Sequence, residues 1–438
     1  MAIESVYGFV NDDLQIELLE KLCPPSGIQT GPFGSLLHKK DYQPFGTPII
    51  TVEHLGENRI IHYDLPRVSD ADKERLSRYV MQKGDIIFSR VGSVDRRALV
   101  RDEENGWLFS GRCLRVRPDP SKINPEYLSW FFGLEAFKDY IRRIAVGATM
   151  PSLNTELLSK VPIFFPPLPE QRAIAEVLGS LDDKIALNRR MNQTLEALAQ
   201  AIFKSWFIDF EPVRAKMEGS TPAGMDAETA ALFPDSMDGD VPSGWRKESL
   251  DQIAHFLNGL ALQKYPPIGD KFLPVIKIAQ LRTENTDGAD KASASILKEY
   301  IIDNGDILFS WSGSLDVVIW CGGKGALNQH LFKVTSEKYP KWFYYYWILH
   351  HLQGFQAIAA GKATTMGHIQ RHHLSEAKVI VPDTGLLREM DKAIAPLLEK
   401  IILNKLESNT LANLRDTLLP KLLSGEVTVD NINPQNGS

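Results

Sequence analysis

From Ile174 onward, apolar and small polar side chains recur every seventh position: Ile174, Leu181, Asn188, Leu195 and Ile202. A second row runs beside them through Leu178, Ile185, Asn192, Ala199 and Trp206. The pattern returns near the other end of the chain as Met390, Leu397, Asn404, Leu411 and Leu418, with Ile394, Ile401, Ser408, Arg415 and Leu422 alongside. Alternating spacings of three and four mark a coiled-coil seam. Gly179-Ser180 and Ala395-Pro396 stand at matching places in the two stretches. Ser180 with Asp183 can cap a new helix and Pro396 suits a first helical position, so a break is expected at both. Each helix then runs about 25–28 residues, roughly 40 Å at 1.5 Å per residue. Asn188 and Asn404 are equivalent seam positions, where a polar residue lowers stability while fixing register and orientation. The two helices are expected to pair antiparallel; the alternative is that each lies on its own domain.

The repetition extends beyond the seam. Gly147-Ala-Thr-Met-Pro-Ser-Leu-Asn154 resembles Ala363-Thr-Thr-Met-Gly-His-Ile-Gln370, with Thr149 matching Thr365 and Met150 matching Met366. The same offset pairs Leu187-Asn188 with Leu403-Asn404 and Leu198 with Leu414. Upstream, Gly84-Asp-Ile-Ile-Phe-Ser-Arg90 answers Gly305-Asp-Ile-Leu-Phe-Ser-Trp311. Two ordered blocks at matching spacing read as a duplication. In each copy a short buried strand follows a Gly-Asp turn, Ile86–Ser89 and Ile307–Ser310, and a proline-closed strand lies at 161–165 and 379–381. Between them, residues 125–143 and 341–359 read as aromatic-rich amphipathic helices whose Tyr and Trp belong to the core.

Composition then sets limits. A chain of 438 residues exceeds one ordinary core. Its 49 basic and 55 acidic side chains leave a net charge of −6, which argues against coating nucleic acid by bulk charge. Residues 219–244, however, carry Asp226, Glu228, Asp235, Asp238 and Asp240 and no basic residue, so the acidity belongs to a Gly/Pro-rich connector. The start of the chain shows no basic-then-apolar leader, no long apolar run occurs, and Cys23, Cys113 and Cys321 are far apart without a CxxC pair. Membrane insertion, export and a disulfide framework are not expected, and a cytoplasmic location fits.

Catalytic signatures are missing. Gly322-Gly-Lys-Gly325 lacks phosphate-loop spacing and reads as a turn, and neither G-x-G-x-x-G nor HExxH occurs. His350-His351 and His372-His373 are adjacent, a poor start for a metal site, and Glu376-Ala-Lys378 lacks the acid that precedes it in nucleases. Neither Asn-Pro-Pro-Phe nor Asp-Pro-Pro-Tyr, used by amino-methyltransferases on a flipped adenine, is present. No catalytic or metal-ligating residue is assigned.

With Pro166-Pro-Leu-Pro-Glu-Gln-Arg172, the seam, Phe203-Lys-Ser-Trp-Phe207, Gly244-Trp245 and the Gly-Asp-Ile-(Ile/Leu)-Phe-Ser blocks, the chain resembles the specificity subunit of a type I restriction-modification system. The second copy departs from it with Pro382-Asp-Thr-Gly-Leu-Leu-Arg388, and the first lacks a clear Gly-Trp opening. The resemblance implies two α/β (α+β) target-recognition domains, two pseudo-repeats joined by long helices that form an antiparallel coiled coil. The domains would be residues 1–165 and 245–383, the helical spacers 166–218 and 384–425, the acidic linker 219–244 and a tail 426–438. It further implies a chain without activity of its own that reads a bipartite asymmetric double-stranded DNA site in phage defence. Two methyltransferase subunits would bring S-adenosylmethionine, and restriction-translocase subunits would use ATP and Mg. A spacer of about 40 Å would suit half-sites about one DNA turn apart, ~34–36 Å. The alternatives are a subunit with its own unrecognised methyltransferase activity and a helical adaptor that binds no DNA.

Sequence readout needs side chains at base edges, with Lys and Arg on phosphates for register. Candidates in the first domain are Lys39, Lys40, Arg90, Arg96, Arg97, Arg112 and Arg115, with Arg117 on the same strand face as Arg115. The comparable set in the second is Lys324, Asn328, Gln329, His330, Lys362, Gln370 and Arg371. Thr149, Ser152, Thr364 and Thr365, on loops expected to enter helices, could place hydroxyl and backbone N–H groups on phosphate. The alternative is that the arginines pair with Asp85, Asp95 and Asp102. Where the copies differ, Arg90 against Trp311 and Arg112 against His330, different half-sites are expected.

Overall fold

A computed structural model describes Tyr7 and residues 14–32, 34–147, 149–361 and 367–429. The chain divides into two compact units, residues 1–184 with 411–438 and residues 185–410.

In the first unit the apolar run Ile-Ile-Phe-Ser forms the inner strand of an antiparallel sheet. Strands β1 (Ile28–Thr30), β2 (Ile86–Ser89), β3 (Arg97–Leu99) and β4 (Cys113–Val116) lie in the order β1-β4-β2-β3. Both faces of this sheet are covered, which explains an unbroken apolar run where alternation would serve a half-exposed strand. Ile86, Phe88, Leu114 and Val116 face the helices, while Ile87, Ala98 and Cys113 face a second small sheet. In that second sheet Thr47–Ile50 pairs antiparallel with Arg67–Val68 and parallel with Leu108–Phe109. The covering helices are α1 (Pro125–Phe131) and α2 (Glu135–Ile144). The sequence suggested one helix here; it divides at Gly133, where an added Cβ would sit 2.2 Å from the guanidinium of Arg97. Only glycine lets that buried side chain through.

The long helix α3 (Leu168–Phe207) follows Pro162–Phe165, a strand paired with Gln15–Leu18. In the second unit β5 (His255–Asn258), β6 (Ile307–Ser310), β7 (Val317–Ile319) and β8 (Leu331–Thr335) repeat the earlier order as β5-β8-β6-β7. Its second sheet also repeats, Phe272–Ile276 pairing antiparallel with Lys291–Ser293 and parallel with Gly325–Leu327. Helix α4 (Lys341–Ala360) buries Trp342, Phe343, Tyr346 and Trp347 in the core, and Lys378–Val381 pairs with Arg246–Ser249. The last long helix is α5 (Thr384–Leu423).

The expected helix breaks are absent. Both α3 and α5 run unbroken for 40 residues. Ser180 Oγ donates to the carbonyl of Val177, 2.8 Å away, instead of capping a new helix, and Pro396 sits on the exposed side of α5. Burial of Leu178 and Ile185 on one helix and of Ile394, Leu398 and Ile401 on the other outweighs these local signals. The acidic segment 219–244 is likewise less of a free connector than its composition suggests. Its five carboxylate residues are exposed, but Phe233 is buried against Trp206 and Trp245 in the core of the second unit.

The seam is antiparallel. In the second unit the Nδ2 of Asn188 donates to Glu407 Oε2 (2.7 Å), and the Nδ2 of Asn192 to the carbonyl of Ile401 (3.1 Å). Asn404 returns a bond from its Nδ2 to Asn192 Oδ1 (2.8 Å), so rising positions on α3 meet falling positions on α5. Ile185, Asn188, Ile401 and Asn404 are buried, while Leu195, Ile202 and Leu397 are half-buried. In the first unit Ile174 and Leu178 share a core with Leu419 and Leu422; Leu181, Leu411 and Leu418 are half-buried. The Oδ1 atoms of Asn188 and Asn404 are buried and lack a hydrogen-bond partner among the described residues. Such an orphaned acceptor costs about 1–3 kcal/mol. The double substitution Asn188→Leu, Asn404→Leu is therefore expected to raise stability by about 1–2 kcal/mol, seen as a higher unfolding midpoint in denaturant. A lower midpoint would show the asparagines to be net stabilising.

Candidate nucleic-acid interface

One edge of the first unit gathers the ends of several strands. Between Leu108–Phe109 and β4 the chain turns through Ser110-Gly111-Arg112. Arg90, just past β2, donates from its backbone N–H to the carbonyl of Arg112 (2.8 Å) and from Nη1 to that of Gly111 (3.0 Å). Its own carbonyl accepts from Leu153 N (2.9 Å), which joins the loop after α2 to the same edge. Arg112 and Thr149 are exposed, as are Met150 and Val146. Lys39 and Lys40 are exposed on a single 3-10 turn, and the adjoining Tyr42 packs into the core that contains Cys113, beside Arg112. Arg90, Arg112, Lys39, Lys40 and Thr149 thus belong to neighbouring loops.

Other expected contacts are not at the surface. Arg97 is 3% exposed, its Nε donating to the carbonyl of Ser129 at 3.0 Å, and burial pulls its guanidinium down to about 10. Arg115 is buried too, and donates to the carbonyls of Arg78 and Ser26. Both stand on strands whose two faces are covered, so no strand face is left for DNA. Arg96 is half-buried and donates to the carbonyl of Leu55. Arg117 makes a two-pronged bond to Asp85 with both distances 2.7 Å, the ion-pair alternative in its strongest form. Asp95 and Asp102 pair instead with Arg142 and Lys83. Ser152 exchanges backbone hydrogen bonds with Val146, and the short helix beyond it is capped by Asn154, so Ser152 offers no free N–H to a phosphate.

The second unit builds the same edge from different side chains. Its turn is Asn328-Gln329-His330. Trp311 stands where Arg90 does, its N–H facing the carbonyl of His330 (3.4 Å) and its carbonyl accepting from Ile369 N (3.0 Å). The indole N–H of Trp311 donates to Asn258 Oδ1 (3.0 Å), and His330 Nδ1 lies 3.0 Å from Ser312 Oγ. Gln370 and Arg371 are exposed next to Ile369, and the guanidinium of Arg371 lies over the ring of Phe332. Asn328 is buried, its Oδ1 receiving the His330 N–H (3.2 Å), and so shapes the turn. Lys324 is exposed but stands at the far end of strand Gly325–Leu327 from this turn. Lys362, Thr364 and Thr365 lie outside the described residues. Trp311 stands at this edge as the counterpart of Arg90 that the alignment of the two copies gives, and Asn258, Ser312 and His368, the last in the place of Ser152, join it beyond the expected residues.

Donor atoms of His372, His373 and Glu376 come within 4.8 Å of one another. The Nδ1 of His373 accepts from the Gln370 N–H (2.9 Å), and a backbone N–H can only donate. That places the ring proton on Nε2, which leaves His373 no free lone pair for a metal. His62, Glu103 and Glu104 form a second such group, in which His62 Nε2 already lies 2.6 Å from Glu104 Oε1. The three cysteines are buried and unpaired, and burial pushes the thiols of Cys23 and Cys113 up to about 12. No helix among the described residues is long and apolar enough to cross a membrane.

Each unit thus holds one copy of a mixed α/β fold with a polar loop edge, packed on antiparallel helices. The family described as type I restriction modification DNA specificity domain matches residues 33–197 and again 242–415, and the chain belongs to it. It is 26% identical over 425 residues to the type I restriction enzyme HindI specificity subunit of Haemophilus influenzae, covering 84% of this chain and 92% of that one. It is 25% identical over 406 residues to the MjaIX specificity subunit of Methanocaldococcus jannaschii, covering 90% and 89%. Among solved structures, the S subunit of a type I restriction-modification system from M. genitalium shares the fold with a TM-score of 0.56 at 16% identity, over 95% of this chain and 98% of that one. These relatives are specificity subunits, the non-catalytic components of their systems, and this chain is one of the same kind.

Proposed function

We propose that the chain reads a two-part, asymmetric double-stranded DNA site, one half per recognition domain, and holds the modification and restriction subunits of its system together. The observation that carries this reading is the pair of matching loop edges, equal in backbone and different in side chains. A scaffold that served only to bind partners would have no reason to vary the two. S-adenosylmethionine, ATP and Mg would enter on the partner subunits. The helices supply a surface for them: Leu187 and its counterpart Leu403 are 47% and 59% exposed, and Leu198 and its counterpart Leu414 are 47% and 46% exposed. Equivalent apolar positions used twice suit two copies of one partner, the methyltransferase subunit.

The test uses the chain assembled with its modification subunits and DNA in which either half-site is scrambled. Protection of a two-part site, lost at one half when residues 245–383 are deleted, supports the reading; uniform loss across all sequences contradicts it. Saturable S-adenosylmethionine binding by the chain alone would favour a methyltransferase instead. Replacing Lys39 and Lys40 together by Ala is expected to weaken binding to all sequences alike. Each lost phosphate contact lowers the slope of log affinity against log salt by about 1, so the pair should lower it by about 2. An unchanged slope would remove this turn from the interface.

A further inference from the structure

The duplication lets one copy serve as the control for the other, and the turns 110–112 and 328–330 show where the two part company. In the first unit the Ser110 N–H donates to the carbonyl of Ile50 (2.9 Å) and the Cys113 N–H to that of Ser110 (2.9 Å). In the second, the Asn328 N–H donates to the carbonyl of Ile276 (3.3 Å) and the Leu331 N–H to that of Asn328 (3.0 Å). The next layer repeats as well. An added Cβ on Gly31 would lie 2.1 Å from the Ser110 carbonyl oxygen, and one on Gly259 would lie 2.2 Å from that of Asn328. Each turn is therefore clamped from below by a glycine and from the side by the residue after the inner strand. Within this shared frame the side chains change from Ser-Gly-Arg to Asn-Gln-His. A frame kept while its tips are exchanged is what two readers of different half-sites require.

The tips differ in the base chemistry they offer. Arg112 is exposed, and its guanidinium makes no ion pair or hydrogen bond among the described residues. Its planar fork of donors matches the paired acceptors O6 and N7 of guanine in the major groove. In the second unit Ser312 Oγ lies 3.0 Å from His330 Nδ1, and Gln329 Nε2 lies 3.4 Å from His330 Nε2, which orients the amide. One amide hydrogen and the Oε1 of Gln329 remain, the donor and acceptor that adenine N7 and N6 require. We infer that these two turns set the specificity of the two half-sites, Arg112 selecting a guanine in one and Gln329 an adenine in the other. The inference rests on the proposed reading of DNA.

The experiment selects DNA from a pool randomised in both halves, using the chain with its modification subunits, as wild type, Arg112→Ala and Gln329→Ala. The wild type should enrich a two-part site with guanine at one fixed position in one half and adenine at one in the other. Arg112→Ala should relax that guanine about tenfold to a hundredfold and leave the other half intact; Gln329→Ala should do the reverse. The untouched half reports in the same molecule that the protein is folded. A variant that weakens every sequence alike, loses both halves together, or leaves the selected site unchanged would overturn the inference. Failure of the wild type to enrich any two-part site would instead overturn the reading on which it rests.

Discussion

Asp182→Ala is expected to lower the stability of the first unit by about 3–5 kcal/mol, since removing one partner of a buried ion pair strands the other. Asp182 is 4% exposed and accepts from three arginines: Arg59 Nε at 2.6 Å, Arg415 Nη1 at 3.2 Å and Arg101 Nη2 at 3.3 Å. Arg59 and Arg101 belong to the recognition domain, Asp182 to α3 and Arg415 to α5, so one carboxylate ties the domain to both helices. Arg415 is itself buried; desolvation works against its charge, but Asp416, Glu57 and Asp182 together hold its guanidinium above the usual range. Its neighbour Asp183 also meets Arg59 and Arg101, yet its side chain is 63% exposed. Asp183→Ala should therefore cost no more than about 1 kcal/mol. Denaturant unfolding of the two variants side by side decides the matter, and equal losses would show that the buried network does not hold the unit together.

The second large effect lies in the other unit. Phe207, at the end of α3, is fully buried, with ring centroids of Phe203, Phe343, Trp245 and Trp342 at 5.0, 5.5, 5.9 and 6.0 Å. Phe207→Ala should cost about 3–5 kcal/mol through lost transfer energy and the cavity left behind. The aromatic contacts join α3 to α4 and to the start of the second recognition domain at Trp245, so the variant should loosen that domain from its helix. Leu198→Ala, on the exposed side of the same helix, should stay within about 0.5 kcal/mol. A Phe207→Ala cost below about 1 kcal/mol would mean that the cluster collapses around the gap and that the attachment lies elsewhere.

How far the sequence discloses this protein depends on which interactions are local. The seam is legible because heptad spacing is a one-dimensional consequence of helical geometry, and the apolar blocks Ile86–Ser89 and Ile307–Ser310 are legible as strands for the same kind of reason. The break expected at Gly179-Ser180 and Pro396 is a local signal overruled by burial along the seam, which no short window of sequence records. Arg97 and Arg115 read as surface contacts because what covers them, the helices over Arg97 and the second sheet over Arg115, is built from other parts of the chain. Arg415 is the converse: its charge stands in an apolar row, and only the fold brings it to Asp182. The candidate interface was half legible. Arg90 and Arg112 are visible in the composition of their block and Trp311 in the alignment of the two copies, whereas Asn258 and Ser312 come to the edge only through the folded contacts with Trp311 and His330.

Each recognition domain is proposed to read its own half of a two-part DNA site on behalf of partner subunits. Sequencing the methylated positions of a host genome with and without this chain tests it most directly. The expected result is one asymmetric methylated motif, two short specified segments separated by unspecified bases, that disappears when the chain is deleted and changes in one segment only when one domain is exchanged. A methylation pattern that survives the deletion unchanged, or a single uninterrupted motif, would contradict it.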